Sequence, residues 1–295
     1  MLNLPKNVWI LTACLALFMS LSVFMLFVGG IIGSVLAPSK SLSTLPVATI
    51  VVGTAVSIIP AIRLMSIFGR KKVFLGTCLY TILLIGLCIF SIINESFFLF
   101  SFASFCLGGN VAVMQQFRFA AIESVELEQR PLATAIVLLG GLISAYLGTE
   151  IATLGKDYFE TDFAGSFLIL ALLFVIAFIL MCFFKPAEKF KEQINKSTRP
   201  LRNIIKQGSF IVAVCAATTG YVVMSFVMTA TPVSMHVMDG FSLDHTKFVL
   251  QSHVIAMFLP SLFTAYIVKY LGLTRMMILG ILLLFVSIFT AYLSH

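Results

Sequence analysis

Three ionisable residues interrupt long apolar runs of this chain: Arg118, Glu150 and His253. A charge in apolar surroundings is expensive unless it is paired, so each invites a functional reading with a named partner. Arg118 can act as a gate or grip a solute; the plainer alternative is an interfacial arginine that reaches headgroups or Glu123, further along the same stretch. Glu150 can take up and release a proton, or simply reach water near the end of its run. His253 can exchange a proton near neutrality, because its unperturbed pKa is about 6.5; the alternative is a hydrogen-bonded packing residue. Glu150 and His253 fall at similar depths of different segments, so a shared gate is expected. Asn110, Gln115, Tyr221, Ser225 and Gln251 are uncharged but polar within the same runs. They are candidates to line a solute cavity, with hydrogen bonding between helices as the competing role.

The elements that hold these residues follow from composition. The 295 residues are 60% hydrophobic and 11% charged, and the mean hydropathy is +1.09. A soluble domain has about 45–50% apolar and about 25% charged residues, so the chain reads as an all-α, polytopic membrane protein. A span needs about 20 apolar residues. The candidates are Val8–Leu36, Pro46–Phe68, Val73–Ile93, Ser96–Phe117, Leu132–Leu154, Phe163–Phe184, Gly208–Thr231, Phe248–Tyr270 and Met276–Leu293, about nine helices. Between the second and third lies a basic turn with Arg63, Arg70, Lys71 and Lys72 and no acid. If this turn is placed in the cytoplasm and the sides alternate, every Lys and Arg except Lys40, Lys156 and Lys247 falls inside. That asymmetry predicts a cytoplasmic N-terminus. Glu95, Asp157, Glu160, Asp162, Asp239 and Asp244 fall on the outer side.

The net charge of +7 therefore does not point to nucleic acid, because it is spread over alternate loops rather than gathered in a stripe. The six cysteines form no CxxC pair and no His/Cys cluster, so no disulfide framework, metal site or cofactor is expected. No cleavable leader is evident, since the first apolar run is too long and is not followed by a polar mature domain. No paired carboxylates, HExxH or Ser/His/Asp set lies at one depth, which ranks an integral membrane enzyme low.

Residues 185–207 are basic and polar, contain Pro186 and Pro200, and divide six helices (1–184) from three (208–295). The two parts share a feature. Gly69-Arg-Lys-Lys72 has a counterpart in Gly272-Leu-Thr-Arg275, again between a second and a third helix. Internal repeats of this kind mark secondary transporters.

These features resemble the major facilitator superfamily, with its two six-helix halves, cytoplasmic connecting loop and glycine-rich basic turn between helices 2 and 3. Gly69, Arg70 and Lys71 match that turn, whereas Ile62, Ser66 and Ile67 stand in place of its first glycine, its acid and an arginine. The stretch Gly108–Glu123, with Arg118, is similar to the family's arginine-containing helix 4. Met224–Met235 and His253–Ser261 resemble helices 7 and 8 of a bacterial branch. Gly140, Gly141 and Gly148 resemble the helix-5 antiporter motif, whose Gly-Pro is here Gly148-Thr149. The resemblance implies alternating access for a small solute, with protons as candidate coupling ion. It implies a latch at Gly69, Arg70 and Lys71, gate roles for Arg118 and Glu123, and a bacterial inner membrane. Members usually have twelve helices, so helices 10 to 12 are expected to be absent. That leaves a non-transporting remnant, or a chain needing a partner, as the alternative. A cavity with so few charges favours a neutral, amphipathic or weakly charged solute. Oligomeric state is not legible.

Overall fold

The computed structural model describes residues 4–186 and 200–293. Most of the expected 185–207 linker lies outside the described residues, at 187–199. Twelve α-helices and no strand occur among the described residues. They are α1 (Lys6–Leu36), α2 (Leu45–Phe68), α3 (Arg70–Ile93), α4 (Phe97–Met114), α5 (Phe117–Glu123), α6 (Arg130–Leu154) and α7 (Ala164–Cys182). After the undescribed stretch come α8 (Leu201–Ile205), α9 (Gly208–Pro232), α10 (Leu243–Phe258), α11 (Thr264–Leu271) and α12 (Leu273–Leu293).

Eight helical stretches among the described residues are long and apolar enough to cross a membrane. The eighth expected span, Phe248–Tyr270, is a broken one: α10 and α11 are separated by a tighter 3-10 stretch, Leu259–Phe263. Pro260 lies in that stretch and has no N–H to give to an α-helical ladder. The other two span prolines behave differently. Pro60 is carried inside an unbroken α2, and at Pro232 α9 passes into a π-helical turn, Val233–Met238.

Packing of the first set of helices centres on α1. Its sequence is apolar on every face, as expected of a helix buried all round, and most of it is buried. It packs most extensively on α6, while α2 packs on α4 and α3 on α7. Small residues permit these approaches. A Cβ at Gly108 would meet the backbone of Gly53 and Thr54 in α2, and one at Gly148 the Ser20 carbonyl in α1. A cluster of phenylalanines then joins α1, α3, α5 and α7. Phe117 meets Phe18 at 4.9 Å and Phe74 at 4.7 Å between ring centroids, both edge-on, and Phe18 meets Phe174 at 5.1 Å.

That cluster explains the principal departure from the expected helix Ser96–Phe117. The helix stops at Met114, and a second begins at Phe117, whose ring is fully buried in the cluster. Over the intervening Gln115 and Gln116 the turn tightens, and Gln116 N–H donates to the Val113 carbonyl at 2.9 Å.

The proposed repeat has a backbone counterpart. Gly69 joins α2 to α3 with φ 82° and ψ 154°. Gly272 joins α11 to α12 with φ 74° and ψ 159°. Residues with a Cβ are essentially barred from this region, so the same sharp corner is made the same way in both places.

Candidate functional site

Of the four cations at the α2–α3 turn, Arg70 and Lys71 find different partners. Arg70 is buried, and its guanidinium grips Glu123 with two bonds, Nη2 to Oε1 at 2.6 Å and Nε to Oε2 at 2.9 Å. Glu123 thus closes the end of α5 onto the start of α3. Glu123 therefore pairs with Arg70 and not with Arg118, which the sequence had offered as one alternative. Lys71 donates its ammonium to the Cys182 carbonyl at the end of α7, at 2.6 Å. Gly69, in the corner, lets both side chains reach inward. This side of the bundle, with Arg63, Arg70, Lys71 and Lys72, is its basic end.

Arg118 itself lies exposed beside the ring of Phe119, 4.9 Å from its centroid. It lines an open cavity of about 700 Å³ to which both sets of helices contribute. From the first set come Met19 of α1, Gln115 and Arg118 at the α4–α5 break, and Val137 of α6; from the second come Tyr221 of α9 and Phe258 of α10. The break thus has a consequence. With Phe117 committed to the aromatic cluster, Gln115 and Arg118 are presented to the cavity. Its other polar lining side chain is Thr218, next to Tyr221 on α9. Among the described residues no carboxylate lines it.

A polar cluster joins the two sets again nearer the opposite end. On α10, Ser242 caps the first turn by accepting from the His245 N–H at 3.2 Å, which sets Asp244, Lys247 and Gln251 along one face at helical spacing. Lys247 Nζ lies 3.2 Å from Glu150 Oε2 and 3.2 Å from Asp244 Oδ1. Gln251 Nε2 donates to Thr149 Oγ1 at 2.7 Å and to Glu150 Oε1 at 3.1 Å. Glu150 is 42% exposed and Lys247 only 17%. Along α6 the cluster stands about 18 Å beyond the cavity residue Leu138, at 1.5 Å per residue. Below it α6 and α10 touch once more, where Gly141 accommodates the ring of Phe258.

The expected residues therefore separate into groups. Arg118, Gln115 and Tyr221 come together at the cavity. Glu150 and Gln251 come together at the opposite-end cluster, with Lys247 as the charge partner of Glu150; His253, placed by the sequence at a depth similar to Glu150, is half-buried and outside the cluster. Asn110 is fully buried between α3 and α4, where it donates to Thr81 Oγ1 at 3.0 Å. Ser225 is half-buried on α9 and is not among the cavity's lining residues. Sequence reasoning missed Lys247 and Thr149. The signal was present in the spacing of Asp244, Lys247 and Gln251, but the lysine was counted as an outer-loop charge.

The model of the Major Facilitator Superfamily matches residues 8–295. A riboflavin transporter, RfnT of Brucella anthropi, is 34% identical over 288 residues, covering 95% of this chain and 71% of the relative. Two uncharacterised transporters of the same superfamily from Bacillus subtilis, YddS and YdeG, are each 26% identical. The chain covers 61% of YddS and 65% of YdeG, so it spans about two thirds of the length of these relatives.

Proposed function

This chain belongs to the Major Facilitator Superfamily, and from that premise we propose that it moves a small, uncharged, hydrogen-bonding aromatic solute by alternating access. The observation that carries the reading is the cavity of about 700 Å³ between the two sets of helices. Its volume is in the range of small-molecule sites, roughly 300–1,000 Å³. Tyr221 and Phe258 offer ring faces, Gln115 and Thr218 offer hydrogen bonds, and Arg118 offers donors to an electron-rich edge. The name of the 34% identical relative supports a solute of the riboflavin kind. A strongly anionic solute is less suited to a cavity lined, among the described residues, by the single cation Arg118.

In this reading residues 1–184 and 208–295 act as two bodies. The basic end faces the cytoplasm of a bacterial inner membrane, by the bias of Lys and Arg. The cavity lies toward that end, and the Glu150–Lys247–Gln251 cluster fastens the outer end. The arrangement corresponds to an inward-facing state. Opening the outer end requires that Glu150 release Lys247, and protonation of Glu150 would remove the charge that holds the lysine. Glu150 is accordingly the first candidate for proton coupling. His253, on the same helix as Lys247 and Gln251, is the second.

The test is uptake of riboflavin, followed by its fluorescence, into vesicles carrying the purified chain, with and without a pH gradient. Saturable uptake above that of empty vesicles is expected, and it should respond to the gradient. Inserted, folded protein with no uptake would overturn the substrate and favour the non-transporting alternative. Uptake indifferent to the gradient would remove the proton.

A further inference from the structure

A second concavity lies away from the solute cavity, on the outside of the first set of helices. It is a groove of about 450 Å³ between α2 and α3, floored by α4. Four features define its chemistry. First, its walls are largely apolar: Leu64 and Phe68 on one side, Val73 and the ring of Tyr80 on the other. The hydroxyl of Tyr80 is already donated to the Cys106 carbonyl at 2.8 Å, so the deep end offers the ring rather than a polar tip. Second, small residues hollow it. An added Cβ at Gly76 would meet nothing within 4 Å. Third, its length is that of one leaflet. From Phe68 at the basic end to Ser57, α2 rises about 16 Å at 1.5 Å per residue, against about 30 Å for a whole hydrocarbon core.

Fourth, its mouth is cationic. Lys72 lines the rim at the basic end. Of the turn's cations, Arg70 is committed to Glu123 and Lys71 to the Cys182 carbonyl. Lys72 forms no ion pair among the described residues, and neither does Arg63, exposed on α2 at the same end. A one-leaflet apolar trough with unpaired cations at its headgroup level matches one ligand by shape and charge together. We infer that this groove binds an anionic phospholipid of the leaflet at the basic end, with an acyl chain lying over Gly76 and the phosphate at Lys72. The site is separate from the solute cavity and does not depend on which solute is carried.

The full chain would be reconstituted in vesicles of equal phosphatidylglycerol and phosphatidylcholine, then re-extracted in mild detergent, and the retained phospholipids counted by mass spectrometry. A lysine near an anionic surface contributes about fivefold, so phosphatidylglycerol should be retained over phosphatidylcholine by roughly that factor. Lys72→Gln should bring the ratio close to one, and Lys72→Arg should keep it. Lys71→Gln should leave it unchanged, because that ammonium does not line the groove and is engaged by the Cys182 carbonyl. Gly76→Phe should fill the trough and reduce retention of both lipids. Equal retention by the unsubstituted chain, or a preference that survives Lys72→Gln, would overturn the inference. So would a chain that retains no lipid and loses thermal stability with Gly76→Phe, which would mean that a polypeptide segment fills the groove.

Discussion

Arg70 and Glu123 illustrate how much a single residue's partner matters here. The guanidinium is 7% exposed and the carboxylate 22%, and two short bonds join them. Removing one member of a buried pair strands the other charge, at roughly 3 kcal/mol. Arg70→Ala and Glu123→Ala should each lower the thermal unfolding temperature in detergent. The double variant should be less destabilised than the two losses added together, because neither charge is then left without its partner. Strict additivity would mean that the pair is not formed. Around the cavity the expectations concern the solute instead. Tyr221→Phe keeps a ring and should alter the KM of riboflavin uptake little, whereas Tyr221→Ala removes the stacking face and should raise it about tenfold, on the order of 1.4 kcal/mol. Gln115→Leu should raise KM as well without lowering the amount of folded protein. An unaltered KM in both Tyr221→Ala and Gln115→Leu would place the solute elsewhere.

At the scale of elements, the proposed transport cycle makes the contact between α6 and α10 the fastening of the outer end. Glu150 is partly in solvent, so its pair with Lys247 is worth only about 0.5–1 kcal/mol, a shift of roughly two- to fivefold in the balance of two states. Glu150→Gln should therefore favour opening at the outer end without unfolding the chain, and should also blunt the response of uptake to pH. Glu150→Asp, which keeps the charge, should preserve closure. In a chain whose native cysteines are replaced by serine, labelling of a cysteine at Leu250, buried on α10, by a water-soluble maleimide measures both; equal labelling in all three backgrounds would exclude the cluster as a fastening. The helices themselves were legible because hydrophobic runs of membrane length and the bias of Lys and Arg are strong, redundant signals. The break between α4 and α5 was not, because neither Pro nor Gly marks Gln115-Gln116. It is imposed from outside, by the fit of Phe117 among Phe18 and Phe74. Partner choice was hidden for the same reason. Glu123 is near Arg118 in sequence, yet the α2–α3 corner at Gly69 delivers Arg70 to it. Glu150 meets Lys247 because two helices distant in sequence cross there.

For the whole molecule, everything said of direction rests on which end faces the cytoplasm. The two ends differ in chemistry. One carries Arg63, Arg70, Lys71 and Lys72; at the other, Glu95, Glu160, Asp162 and Lys156 gather with His236 around a separate groove of about 570 Å³. Lysines and arginines near span ends are retained on the cytoplasmic side, whereas acids contribute little to the choice, so the basic end should be inside. A chain with its native cysteines replaced by serine, given one new cysteine at a time, tests this in intact cells with a membrane-impermeant maleimide. Cysteines at Ser39 and Asp157 should label directly, and one at Ser66 only after the membrane is opened. The three positions separate two kinds of error. If all three reverse, the bundle is inverted: the cavity would then face outward, and Glu150 would hold the cytoplasmic end. If only one departs, the span next to it does not cross as its length and apolarity suggest. The fold of the first set would then need a re-entrant segment, although the packing of α1 on α6 and of α2 on α4 leaves little room for one.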